Sequence, residues 1–144
     1  MFELTPALAA LETSPLADWV GGPIYPLISA LHILAFAFVL VPVLVADARI
    51  LKIGAVDDEV SRLSHTALLA FGGAALTGSL LLSVQATRYA ENPAIYWKFG
   101  LLALAGANAF LIYWLQKAQK VIAAVSALIW CGVLLSGRWI AFVA

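Results

Sequence analysis

The stretch from Tyr25 to Ala46, YPLISALHILAFAFVLVPVLVA, decides the fold class. It carries no charge and is close to the roughly 20 residues needed to cross a hydrocarbon core of about 30 Å. Three more runs of this kind follow, at about 64–85, 95–115 and 121–142. They are too long and too uniformly apolar for barrel strands, which alternate. The expectation is an all-α polytopic membrane protein: a four-transmembrane-helix bundle in one domain, spanning about 25–46, 64–85, 95–115 and 121–142. Pro42 inside the first run predicts a kink or loosened turn near Phe38 to Pro42.

Composition agrees. Of the 144 residues, 64% are hydrophobic and 11% charged, with a mean hydropathy of +1.00. Soluble domains run near 45–50% apolar and about 25% charged, and so short a chain has little interior in which to hide the excess from water. Eight basic and eight acidic residues balance, so nucleic acid is not an expected partner. Membrane lipid is, with a homo-oligomer or a partner in a membrane complex as further possibilities. Cys131 alone can form neither an internal disulfide nor a CxxC motif, and is read as a small buried hydrophobe.

The first 23 residues contain Glu3, Glu12 and Asp18 but no Lys or Arg, unlike a secretory signal. TPALAALE and SPLADWV each open with Ser or Thr followed by Pro, a helix-start signature. They predict a short interfacial helical segment, with Leu8, Leu11, Leu16, Trp19 and Val20 along the membrane and Glu12 and Asp18 toward water. Arg49, Lys52 and Arg62 between the first two runs, and Lys117 and Lys120 between the last two, hold five of the eight cations. The positive-inside rule then places both termini outside the cytoplasm of a bacterial inner membrane.

Polar groups inside a span are costly, so they are the residues to ask about function. His32 is roughly 10 Å below Tyr25 at 1.5 Å per residue, and Arg138 is roughly 6 Å from the outer end of the last span. Lys98 enters near the outer start of the third span, and Thr77, Ser79 and Ser83 come from the outer half of the second. Every helix thus brings a polar group to one outer layer, with Tyr89, Tyr96, Trp97 and Trp139 near its mouth. His32 can donate, accept or ligate a metal, and Lys98 and Arg138 are cationic. Such a layer suits a quinone head group, or the iron and propionates of haem b. The competing reading is snorkelling cations and an ordinary aromatic belt.

The remaining polar residues have plainer readings. His65 falls at the opposite face, about 15–20 Å from His32 by helix rise, so one haem cannot take both as axial ligands within a monomer. Asp47 is expected to pair with Arg62, Lys117 or Lys120, with proton relay a weaker option. Asn108 is expected to hydrogen-bond a neighbouring helix. Gly73, Ala74, Gly78, Ala105, Gly106 and Ala109 are expected to let helices pack closely, or to form an oligomer seam. Asp57 to Glu59 look like a solvated loop. No phosphate loop, HExxH or Ser/His/Asp constellation is present.

HILAFAFVLVPVLVADARILKIG resembles the first helix of a family of small bacterial four-helix membrane proteins of unknown function. That helix carries a histidine, an apolar stretch and then Asp-x-Arg-x-Leu. ENPAIYWKFGLLALAGANAF is similar to the family's segment running from Asn-Pro-Ala through an aromatic to Lys and a later Asn-Ala. WCGVLLSGRWIAF resembles its Trp-x-Gly…Gly-Arg-Trp-Ile close. The likeness covers residues 5–143. It picks out His32, Asp47, Arg49, Asn92, Lys98, Asn108, Gly137, Arg138 and Trp139, and leaves His65 outside the pattern. It implies a fold and no activity; copper-resistance membrane proteins and small b-type cytochromes are looser analogies.

Three functions follow as expectations. One is an accessory redox protein binding haem or a quinone, with His32 as iron ligand or quinone partner and Lys98, Arg138, Thr77 and Trp139 around it. Another is a metal or small-molecule transporter with His32 and Asp47 as stations. The last is an assembly subunit whose polar groups, Asp47, Arg49, Asn92 and Asn108 among them, only pack helices.

Overall fold

The computed structural model describes residues 4–143, so Met1 to Glu3, including the acidic Glu3, lie outside the described residues. Two short helices, α1 (Leu4–Glu12) and α2 (Pro15–Gly21), precede the long α3 (Tyr25–Ile53) and α4 (Asp58–Val84). A short α5 (Ala86–Glu91) leads into α6 (Pro93–Trp114), and a 3-10 turn at Gln116–Ala118 leads into α7 (Gln119–Val143). Four helices, α3, α4, α6 and α7, are long and apolar enough to cross a membrane. Their outward faces are apolar: Leu69 is 81% exposed and Leu128 73% exposed. Lipid is the solvent in which such faces cost nothing.

Local chemistry sets the helix ends. Ser14 caps α2 through the Ala17 N–H at 3.2 Å, with Pro15 in the first turn. Asn92 caps α6 through the Ala94 N–H at 2.9 Å, followed by Pro93. Asp57 caps α4 through the Val60 N–H at 3.0 Å. α4 therefore begins about two turns before its apolar run, because an N-cap and an acidic first turn stabilise the helix outside the hydrocarbon. Asp57 and Glu59, expected in a free loop, are instead held by Arg49 at 2.7 Å each. α3 runs 29 residues, about 44 Å at 1.5 Å per residue, and so passes beyond Ala46 to Ile53. It continues as one helix through Pro42, which is buried.

Gly54 ends α3 with φ +86°, its N–H donating to Ile50 O at 2.7 Å. Only glycine takes this left-handed cap without strain. A Cβ there would stand 2.9 Å from Lys120 Cε, so the Lys120 side chain of α7 lies over the C-terminus of α3.

The helices follow the spatial order α4, α3, α7, α6. α3 packs on both α4 and α7, and α7 on α6. Two buried clusters fill these seams. Val39, Ala74, Ala105, Ile129, Trp130 and Val133 form one; Ala46, Ile50, Val60, Ile112, Ile122 and Ala123 form the other. Among the described residues, no Cα of α4 lies within 8 Å of any in α6. The bundle is therefore open along one side. Gly73 meets Ala35 of α3 and Gly132 meets Leu101 of α6, as small residues at seams should. Gly106 does not: a Cβ there would meet nothing within 4 Å.

The N-terminal segment is tied to protein more than the sequence indicates. α1 packs on α5 and α4, and α2 on α4 and α3. Val20, expected along the membrane, is fully buried. Glu12, expected toward water, accepts from both the backbone N–H and the hydroxyl of Thr87. Cys131, expected buried, is exposed on α7.

Candidate functional site

The open side of the bundle is a groove between α4 and α6, floored by α3 and α7, and it has two lobes. One lobe, with a volume of 520 Å³, is lined by His32 and Phe36 of α3 and by Ala74, Ala75, Gly78 and Ser79 of α4. Tyr89 of α5, Lys98 and Phe99 of α6, and Gly137 of α7 complete it. The other, of 280 Å³, is lined by Asp47, Ser64, Asn108, Tyr113, Ser126 and Trp130 among apolar side chains. Phe71 and Leu102 line both lobes and mark the narrow place between them. Along α3, His32 and Asp47 are about 22 Å apart at 1.5 Å per residue.

In the first lobe the hydrogen bonding around His32 favours one histidine tautomer. His32 Nδ1 lies 3.0 Å from Thr77 Oγ1. The single Thr77 hydroxyl proton is already directed to Gly73 O at 2.8 Å, with Ala74 O at 3.2 Å. A hydroxyl has one proton and two lone pairs, so a Thr77 proton spent on Gly73 O leaves the oxygen to accept from imidazole Nδ1–H. Ala74 also offers the ring a backbone acceptor. With Nδ1 protonated, neutral His32 carries its free lone pair on Nε2. A hydrogen bond from one ring nitrogen orienting the other is how proteins present a histidine to a metal or an acidic proton.

The ring fits because position 78 is glycine: a Cβ there would stand 2.9 Å from His32 Cε1 and 3.4 Å from Nδ1. Lys98, half-buried on α6, lines the same lobe and is close enough to His32 for their charges to interact. Among the described residues no carboxylate forms an ion pair with Lys98. The lobe offers one cationic donor and one aromatic nitrogen within apolar walls.

The other residues singled out by sequence fall elsewhere. Arg138 and Trp139 are exposed on α7, and Gly137 is the residue of that stretch that lines the lobe. Ser83 is buried, with its hydroxyl on Leu80 O at 2.7 Å. Tyr96 donates to Ala90 O at 2.7 Å, and Tyr96 and Trp97 are exposed. His65 is exposed on a shallow surface with Asp58, Ser61, Arg62 and Thr66. Asn108 bonds a neighbouring helix as expected, its amide donating to Ile122 O of α7 at 3.2 Å. Asn92 is buried as the α6 cap, with its Nδ2 unpartnered.

Asp47 departs from expectation. Among the described residues it makes no ion pair with Arg62, Lys117 or Lys120. Its position on α3 turns it into the bundle beside Ser126 of α7, whereas those three cations are exposed. Asp47 is 4% exposed and its Oδ2 has no partner. Ser126 and Gly78 are the functional neighbours that sequence reading missed. Ser126 had a signal, as one of two serines, with Ser136, inside the fourth apolar run. Gly78 had none beyond being one small residue among several.

Fold and groove together define a multi-pass helical membrane protein with a laterally open, two-lobed, largely apolar groove that carries a few polar side chains. No protein-family model, curated protein or solved structure matches the chain.

Proposed function

We propose that this protein is an accessory redox component of a bacterial inner membrane, binding the head group of a lipid-soluble quinone or quinol in the His32 lobe. The observation that carries this reading is the pairing of His32 and Lys98 in a groove open between α4 and α6. A quinone carbonyl needs a donor, which the Lys98 ammonium supplies. A quinol hydroxyl needs an acceptor, which the Nε2 lone pair of His32 supplies. The ring would lie among Phe36, Phe99 and Tyr89, and the isoprenoid tail would leave through the open side into lipid. Thr77 acts one step back, by holding the ring tautomer. Arg138 and Trp139, exposed on α7, suit the boundary with lipid head groups. With the basic loops cytoplasmic, the lobe would lie in the outer leaflet.

The same lone pair would suit haem iron, with Lys98 against a propionate. His32 would then be one axial ligand, leaving the other position open or filled by a second copy. One preparation separates the two ligands: quinone content by extraction, and a reduced-minus-oxidised spectrum, for wild type and His32→Ala. Co-purifying quinone lost in the mutant supports the first ligand; a Soret and α-band lost in the mutant support haem. A well-folded protein with neither, and no binding of added quinone, rejects the redox reading.

A second reading, transport of a small molecule or metal, is favoured by the sharing of Phe71 and Leu102 between the lobes. It makes His32 and Asp47 successive stations along one groove. Uptake into proteoliposomes that His32→Ala leaves unchanged would count against it.

A further inference from the structure

We infer that the second lobe is a separate binding site for a lipophilic organic ammonium, with Asp47 as its counter-ion. Two independent observations point there. Asp47 is 96% buried, taking its 4% exposure from the whole, and its Oδ2 faces no donor. The residue also lines a cavity of 280 Å³ that contains no Lys or Arg. Ser126 serves one side of the carboxyl, and a buried carboxylate whose other oxygen has no partner is a group awaiting a proton or a cation.

The chemistry of the walls selects the kind of cation. Asn108 donates one amide N–H to Ile122 O, which leaves its carbonyl oxygen and its second N–H for a ligand. Ser64 spends its hydroxyl proton on Val60 O at 2.9 Å, leaving lone pairs. With the Asp47 carboxylate these oxygens supply acceptors for a donor-bearing positive group. Among the described residues no group of three or more His, Cys, Asp or Glu side chains could hold a metal ion, and a single carboxylate is too little for a divalent one. The rest of the cavity is apolar and aromatic, with Phe71, Tyr113 and Trp130 offering ring faces that attract a cation as well as hydrocarbon. An apolar body bearing one ammonium satisfies all of these walls together. Its way in is the opening between α4 and α6, so it partitions from the bilayer. The site does not depend on what occupies the His32 lobe.

Equilibrium dialysis of the detergent-purified full chain with radiolabelled 2-phenylethylammonium tests this, with the uncharged 3-phenylpropan-1-ol as competitor. Saturable binding near one per chain is expected, with the alcohol competing at least tenfold more weakly. Asp47→Asn should weaken binding at least tenfold, while His32→Ala leaves it within twofold. Ala109→Phe, which fills the cavity from α6 without touching the carboxyl, should abolish binding and keeps the test decisive if Asp47→Asn fails to fold. Absence of saturable binding to wild type, equal affinity of folded Asp47→Asn, or equal competition by the alcohol would each overturn the assignment.

Discussion

The imidazole of His32 rests against Gly78, where even one methyl would come within 2.9 Å of Cε1. The contact is with a ring that holds Thr77 and borders the open lobe, so it can yield only by leaving Thr77. Gly78→Ala should therefore push the ring off Thr77. Overpacking of this kind costs about 1–3 kcal/mol. A lower melting temperature in detergent and at least tenfold weaker quinone or haem retention are expected; an unchanged Tm and full ligand content would show that the ring relocates freely.

Thr77 Oγ1 lies 3.0 Å from His32 Nδ1 and, with its own proton on Gly73 O, is placed to accept the ring N–H. Thr77→Val removes that acceptor while conserving shape. The Ala74 carbonyl remains near the ring, so the loss should be about 1 kcal/mol rather than the full penalty of an orphaned donor. Thr77→Ser should restore both stability and ligand content. Denaturant titration of the three proteins distinguishes this bond from simple packing, since packing alone would leave Ser below Val.

Arg49 joins α3 to the start of α4 through Asp57 and Glu59. The Arg49 hydrogen bond, aided by the Val60 N–H, holds the Asp57 carboxyl below its ordinary 3.8, at about 2. Because the folded value is the lower one, its stabilisation is fully present above the unfolded pKa of about 3.9 and is lost as pH falls toward the folded value. Tm should fall for wild type between about pH 4 and pH 2. Asp57→Asn keeps a capping oxygen but no charge, and its Tm should change less over that interval; identical slopes would assign the acid sensitivity elsewhere.

Gly54 holds a left-handed φ of +86° under the Lys120 side chain. The lysine end can move, so the backbone dominates: placing an L-residue there costs about 1–2 kcal/mol. Gly54→Ala should lower Tm by that equivalent. Adding Lys120→Ala should recover only the steric part, and complete recovery by the double variant would make the clash the larger cause.

Much of this was legible in the chain. Four apolar runs near the bilayer thickness have few ways to satisfy their backbone groups, and helices suffice. Ser14 and Pro15 mark the start of α2 through local chemistry that needs no tertiary knowledge, whereas Asp57, expected in a solvated loop, is the cap of α4. Depth along a helix is also arithmetic, which is how His32 and Lys98 could be assigned to one layer. What periodicity does not carry is the rotation of each helix and the choice of neighbours. Four long apolar helices do not announce which of them pair, yet α4 and α6 stand apart and open the groove. Arg138 shares the depth of Lys98, but only Gly137 of that stretch lines the lobe. Asp47 sits two residues from Arg49, and about 200° of helix rotation at 3.6 residues per turn separates a buried carboxyl from a half-exposed guanidinium. The sequence by itself determined a four-span helical membrane protein and the depth of its polar groups, because both depend on length and local chemistry. Only the tertiary structure decided which of those groups face one another, because small residues permit several packings and side-chain fit, such as His32 against Gly78, selects among them.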